Sequence, residues 1–461
     1  MPLHRAIAAL RVRLLSLSRA GFARSVGVLV GGTAFAQALG ILILPLVTRL
    51  YSPADFSALA AFISISSIIS IVACLRLEIA IPMPEENDEA VNLLAASLCI
   101  CTTVAAIVGL IVWQYSSQIL TALGQPSLGS CLWLLPVTIW AASAYSAIQF
   151  WSTRQKKFAV IAKTRISQAI GGAGAQVGFG LFGLAPLGLV LGQTISSGAG
   201  LLSLMRAAIR EDCAIFRKIS VSRMWKALQH YQRFPKYATF EAFANTAGAQ
   251  LPIIIIASNA VGPEAGYLAL AVRAMAAPMG LVGGAISQVY LSKAPEELRA
   301  GNLGEFSAGV LRNLFRVGVG PLIFIGIVAP PFFALIFGSR WERSGEIVSW
   351  MIPWFVFQFM SSPISMVMHV VGKQRLMLAI TVFGLLLRLG FVALASFYAV
   401  NLISEAYAIS GGVFYLVCCW MFARAAGVTD IAARKIFRES SWVVACWITA
   451  AILLRAGFYF S

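Results

Sequence analysis

The chain has 461 residues, 59% of them hydrophobic and 11% charged, whereas a soluble domain carries roughly a quarter charged residues. Its mean hydropathy is +0.84, and its net charge of +17 is spread over alternate loops of an apolar sequence. That distribution is a membrane-orientation signal; it excludes a soluble globular fold and leaves no reason to expect nucleic acid as a partner.

Residues 1–24 contain Arg5, Arg11, Arg13, Arg19 and Arg24 but no compact apolar core followed by a small-residue cleavage site. They read as an uncleaved, basic amphipathic segment on the cytoplasmic face. Apolar stretches long enough to span a bilayer, about 20 residues, follow at 26–48, 54–81, 89–113, 130–152, 158–183 and 186–207. A basic stretch, 208–236, interrupts them. They resume at 237–258, 264–291, 309–338, 345–370, 376–399 and 402–424, with a shorter thirteenth candidate at 441–460 broken by Arg455. Arg455 could snorkel to the interface if that segment spans.

This predicts an all-α polytopic membrane protein with about twelve transmembrane helices and a candidate thirteenth. The expected divisions are a cytoplasmic basic segment (1–24), a six-helix lobe (25–207), a basic cytoplasmic linker (208–236), a second six-helix lobe (237–425) and a basic tail (426–461). Arg154, Lys156, Lys157, Lys163 and Arg165, the run from Arg206 through Lys236, then Lys293, Arg299, Arg312, Arg316, Lys373, Arg375, Arg424, Arg434, Lys435 and Arg438 join the N-terminal arginines on one side. The other side holds little beyond Arg49, Arg340 and Arg343, so the N-terminus is expected in the cytoplasm. The eight cysteines have no metal-ligand spacing and read as small buried side chains. Neither a metal nor a cofactor is expected.

The two halves carry an internal repeat. Thr33-Ala34-Phe35-Ala36-Gln37 corresponds to Thr246-Ala247-Gly248-Ala249-Gln250, Pro53 with Asp55 to Pro263 with Glu264, and Pro84-Glu85-Glu86 to Pro295-Glu296-Glu297. Each half crosses an even number of times, so the lobes should be related by a pseudo-two-fold axis along the membrane normal, with a site between them.

Gly32-Thr33-Ala34 through Tyr51-Ser52-Pro53-Ala54-Asp55-Phe56, then Phe234-Pro235-Lys236-Tyr237-Ala238-Thr239-Phe240 and Ala285-Ile286-Ser287-Gln288-Val289-Tyr290, resemble the Wzx-type oligosaccharide and polysaccharide flippases. These belong to the multidrug/oligosaccharidyl-lipid/polysaccharide (MOP) exporter superfamily. The resemblance covers roughly 25–425; Ser57 stands where relatives commonly have Gly, and the thirteenth span departs from the usual twelve. It implies two six-helix lobes forming a V, alternating access, a bacterial inner-membrane location and an undecaprenyl-pyrophosphate-linked oligosaccharide as substrate. A polysaccharide polymerase and ligase are candidate partners beside the bilayer.

Charged residues at membrane depth are the sharpest local signal, because a central Arg costs about 2.5–3.5 kcal/mol to insert and therefore faces a cavity or a partner. Arg273 and Arg388 lie within spans, Arg76 toward the inner end of the second and Arg49 at the outer end of the first. A cationic cavity of such guanidiniums would bind pyrophosphate bidentately. Snorkelling is the plainer reading of Arg76 and Arg49. Glu78, Glu241 and His369 are the candidates for ion coupling. Trp140, Tyr145, Phe150 and Trp151 crowd the fourth span, while Gly174-x-x-x-Gly178 and Gly280-x-x-x-Gly284 predict close helix approach.

No G-x-x-x-x-G-K-[ST] run for ATP is present, and translocation breaks no covalent bond, so the chain is not expected to be an enzyme. The leading expectation is a flippase moving lipid-linked repeat units to the periplasmic leaflet for lipopolysaccharide or exopolysaccharide synthesis. Two alternatives remain. A cation-coupled multidrug exporter would want a carboxylate deep in the first lobe, where Glu78 is a poor candidate. A membrane polymerase or glycosyltransferase would want catalytic groups in a large outer loop, where only Asp55, Glu264, Glu342, Glu346 and Glu405 are available.

Overall fold

The computed structural model describes residues 27, 28 and 30–460; the expected amphipathic segment 1–24 lies outside them. The described residues form helices and turns, with no strand among them. The first lobe comprises α1 (Val30–Leu50), α2 (Pro53–Ala73), α3 (Asn87–Leu123), α4 (Leu134–Arg154) and α5 (Phe158–Leu181), then a crossing in two pieces, α6 (Leu187–Gly198) and α7 (Leu201–Phe216). A short α8 (Val221–His230) leads to the second lobe. That lobe comprises α9 (Thr239–Asn259), α10 (Glu264–Arg299), α11 (Leu303–Phe337), α12 (Glu342–Ile364), α13 (Gln374–Tyr398) and α14 (Ile403–Ala425). A last helix, α15 (Asp430–Phe460), packs along α11.

Among the described residues, ten helices are long and apolar enough to cross a membrane. α4 and α5 are equally long but less apolar, and α5 carries polar side chains toward the space between the lobes. The Lys/Arg-rich loops lie at one end of the bundle, called here the basic end.

The Tyr51–Phe56 motif starts α2 and fixes its neighbours. Ser52 and Asp55 form a capping box, each satisfying a backbone or side-chain group of the other, and Pro53 sits where a helix needs no N–H. The Tyr51 hydroxyl donates to the Gln176 carbonyl of α5 (2.7 Å), and Phe56 meets the Trp341 edge at 4.8 Å between ring centroids.

The crossing after α5 breaks at Ala199-Gly200, where Gly200 takes a φ of +88° against Thr164. In α11, Pro330 and Pro331 lack the N–H groups that would bond the carbonyls of Gly326 and Ile327. Ser349 of α12 donates to Gly326 (2.6 Å) and Arg455 of α15 to Ile327 (3.3 Å). Arg455 therefore contacts a partner helix inside the bundle rather than snorkelling, and the thirteenth candidate is a full helix.

Two other expectations change, and the linker contributes a docked helix. The linker is ordered: α8 docks on the acidic first turn of α3 through Lys218–Asp88 (3.0 Å), Arg223–Asp88 (3.6 Å) and His230–Glu89 (3.6 Å). Pro295 lies not in a loop but within α10, which runs on to Arg299. Finally, a side chain at Gly174 or Gly178 would meet open space. The close α5–α6 approach is at Gly172 against Gly192 and Ser196, because those residues, not the recognised spacing, face the partner helix.

The lobes meet along two seams that mirror the sequence repeat. On one, Gln37 of α1 faces Gly280 of α10; on the other, Ser64 of α2 donates to Gln250 of α9 (2.9 Å). At the charge-poor end they are latched through backbone groups at helix termini. Trp341 Nε1 donates to the Thr48 carbonyl (3.0 Å), Gln125 to the Ala257 carbonyl (2.9 Å), and the Gly266 N–H to Ser57 Oγ (2.8 Å). A Cβ on Gly266 would overlap the Pro53 carbonyl.

Candidate functional site

Between the lobes lies a cavity of about 310 Å³ whose walls are unusually polar for membrane depth. α5 supplies Arg165, Gln168, Gly172 and Gln176, which recur at helical spacing on one face. α1 adds Gln37, the broken crossing adds Gln193 and Ser196, and Arg273 enters from α10 of the second lobe. Among the described lining residues none is a carboxylate.

Arg165 is held in place rather than neutralised. One of its terminal nitrogens donates to Gln149 (2.9 Å), and its guanidinium lies 5.6 Å from the Tyr145 ring centroid. Tyr145 is itself fixed by Thr164 (2.8 Å). Among the described residues no carboxylate pairs with Arg273, and Gln37 Oε1 is buried without a partner. By helix rise, Arg273 lies roughly 14 Å below the charge-poor end and Arg165 roughly 24 Å. The two guanidiniums thus stand at different depths along one wall-to-wall space, and their chemistry suits an anion with several acceptor oxygens.

A second cavity, of about 340 Å³, lies on the other face of α10 and is lined by Trp354, Phe355, Phe359, Gln358, Ser287 and Ser362 among others. Aromatic faces and isolated amides or hydroxyls of this kind suit a sugar.

Of the expected site residues, only Arg273 lines the polar cavity. Arg388 is 7% exposed within the second lobe, behind Trp354, whose ring centroid is 5.5 Å from its Cζ. Arg49 is exposed at the charge-poor end of α1. Arg76 pairs with Glu78 at 3.5 Å. Two residues apart cannot share a helix face, but α2 has already ended and Arg76 has a φ of +58°, which turns both side chains together. Glu78 is 4% exposed; burial pushes its carboxyl above the ordinary range, with Arg76 only partly opposing it. Glu241 is exposed at the start of α9, and the His369 side chain lies outside those described.

Three of the four aromatics of the fourth span diverge. Tyr145 supports Arg165, Trp151 is buried and donates to Asp212, and Trp140 is exposed and donates to Thr102. Sequence reasoning missed Arg165, counted there as a loop cation, and the glutamines beside it. The signal was available in the i, i+3, i+7, i+11 recurrence of polar or small residues from Arg165 to Gln176.

Three of the scattered outer carboxylates form one network. Arg343 contacts Glu264 (3.0 Å), Glu346 (2.9 Å) and Glu405 (2.6 Å), tying together the starts of α10, α12 and α14.

A family profile described as "Polysaccharide biosynthesis protein" matches residues 46–346. The chain belongs to that family. No curated protein sequence matches this family member. Its fold is similar to that of the lipid II flippase MurJ in an inward closed conformation, with a TM-score of 0.68, 13% identity, and coverage of 93% of this chain and 97% of that one. It is also similar to an inward-facing multidrug resistance MATE family transporter of the MOP superfamily (TM-score 0.59, 14% identity, 85% and 94% covered). A eukaryotic MATE transporter gives a TM-score of 0.56 at 14% identity, with 91% and 100% covered. The family member therefore has the MOP flippase and transporter fold.

Proposed function

We propose that this protein flips undecaprenyl-pyrophosphate-linked oligosaccharide repeat units from the cytoplasmic to the periplasmic leaflet of the bacterial inner membrane, by alternating access, for lipopolysaccharide or exopolysaccharide synthesis. The observation that carries this reading is the inter-lobe cavity with Arg165 and Arg273 contributed from opposite lobes and no carboxylate among its described lining residues. A pyrophosphate must cross a low-dielectric core, where an unpaired charge is costly. Guanidiniums at two depths offer it successive partners, and the surrounding glutamines can take up the remaining oxygens. The basic end is the cytoplasmic side by the positive-inside rule. Arg49 and Arg76 lie beyond the cavity and receive no phosphate contact in this reading; Glu78 is the coupling group best supported, because it is buried and Glu241 is not.

A cation-coupled drug exporter is disfavoured by the cationic lining. A membrane polymerase is disfavoured because Glu264 and Glu405 are engaged by Arg343 and Asp55 caps its own helix.

Binding of undecaprenyl pyrophosphate to the protein in nanodiscs tests the site. Hydrogen bonds to charged groups contribute about 1.5–3 kcal/mol each. Arg165→Ala and Arg273→Ala should therefore each weaken binding by roughly tenfold to a hundredfold, while a zwitterionic lipid binds both variants alike. Wild-type affinity in both variants would contradict the assignment.

A further inference from the structure

Arg388 presents a different problem from the cavity arginines. It lies about midway along α13, and its guanidinium is surrounded by Trp354 (5.5 Å), Phe414 (4.6 Å) and Tyr415 (5.8 Å), measured to ring centroids. The Tyr415 hydroxyl also interacts with it. Yet among the described residues no carboxylate lies within ion-pair distance, and Nε is buried with no acceptor. Arginine does not shed its proton in proteins, and ring quadrupoles contribute only about 2 kcal/mol when desolvated. The side chain is 7% exposed, so a full positive charge is left without an opposite charge.

The guanidinium borders a pocket of about 170 Å³ between α9, α12, α13 and α14. Three of its hydroxyls are already committed: Ser361, Ser365 and Thr381 donate to the carbonyls of Gln358, Ser362 and Met377. Asn245 and Ser362, both exposed at the mouth, are the uncommitted donors. The Arg388 guanidinium, with Nε buried and lacking an acceptor, is therefore the charged group of this pocket, and Asn245 and Ser362 line its exposed side.

We infer that this pocket is a binding site for a small monovalent inorganic anion, a halide such as chloride, held by Arg388 with Asn245 and Ser362. One guanidinium and neutral donors balance one negative charge; a dianion would leave a charge buried. A water occupies about 30 Å³ in the liquid, so the pocket accommodates a halide together with a partial hydration shell. The site lies wholly within the second lobe and is separate from the lipid-phosphate reading of the inter-lobe cavity.

The test uses the full chain in nanodiscs, with gluconate exchanged for bromide at constant ionic strength. The thermal midpoint should rise saturably with bromide, the rise should vanish in Arg388→Gln, and Asn245→Ala or Ser362→Ala should raise the half-saturating concentration several-fold. These two residues are exposed at the mouth, so the test survives if Arg388→Gln does not fold. Anomalous scattering at the bromine edge should place one bromide against the Arg388 guanidinium. No bromide there, or a midpoint with the same halide dependence in wild type and mouth variants, would overturn the inference. A pocket that accepts phosphate in preference to bromide would overturn it equally.

Discussion

Three single residues show how this bundle satisfies polar groups that have no water to turn to. Ser349 and Arg455 exist, in this account, to occupy the carbonyls that Pro330 and Pro331 release. Interhelical hydrogen bonds in membranes are worth about 0.6 kcal/mol on average and up to about 1.7. Ser349→Ala and Arg455→Ala should each cost stability in that range. Pro331→Ala should restore the helical bond to Ile327 and make Arg455→Ala nearly neutral. A double-mutant cycle by equilibrium unfolding in detergent checks this; additive costs would refute the pairing. Arg343 is the third, since Glu405 is only 5% exposed and loses its charge partner in Arg343→Ala. Removing one member of a buried pair costs about 3–5 kcal/mol, so this variant should unfold or insert poorly, and Arg343→Ala with Glu405→Gln and Glu264→Gln should recover much of the loss.

Glu78 gives a pH dependence of definite sign. Its carboxyl is pushed up by burial, so the folded state binds the proton more tightly than the unfolded chain. Stability must then fall as pH rises from the ordinary carboxylate value through the raised one. Glu78→Gln should flatten that part of the stability–pH curve, measured by thermal unfolding across mildly acidic to neutral pH. A curve of unchanged slope would place the titration elsewhere.

At the scale of elements, the decisive contacts are those between helix ends. α1, α2, α9 and α10 are joined at the charge-poor end by backbone groups at helix termini and by the buried Phe56–Trp341 contact, so opening that end exchanges terminal donors and carbonyls for water and separates one aromatic pair. Gly266→Ala should pry α2 from α10, since overpacking costs about 1–3 kcal/mol. That should shift the population toward an open charge-poor end by roughly fivefold to a hundredfold. Spin labels at the exposed positions Arg49 and Arg340 would report it as a longer distance distribution; an unchanged distribution would contradict the latch. Span positions and the two-lobe repeat were legible in the sequence, because both are written in hydropathy and in loop charge. The α5–α6 contact and the path of Arg455 were not, because which side of an apolar helix faces a neighbour is set by packing alone. Arg165 was legible but misassigned: its helical neighbours Gln168 and Gln176 identify the wetted face, whereas its sequence neighbours Lys156, Lys157 and Lys163 suggest a loop.

For the whole molecule, the same repeat that orders the fold also orders the seams. Gln37 and Gln250, equivalent in sequence, stand at the two places where the lobes meet. Arg165 and Arg273 come from opposite lobes and share one cavity, so relative motion of the lobes would change their spacing around a bound phosphate. The measurement that tests this most directly is leaflet transfer of a labelled undecaprenyl-pyrophosphate oligosaccharide in proteoliposomes containing the wild-type chain or the Arg165→Ala, Arg273→Ala double variant. Transfer to the far leaflet by wild type, absent from empty vesicles and lost in the inserted double variant, is the predicted result. Equal transfer by the double variant, or none by wild type with several glycans alongside proton-driven dye efflux, would contradict it.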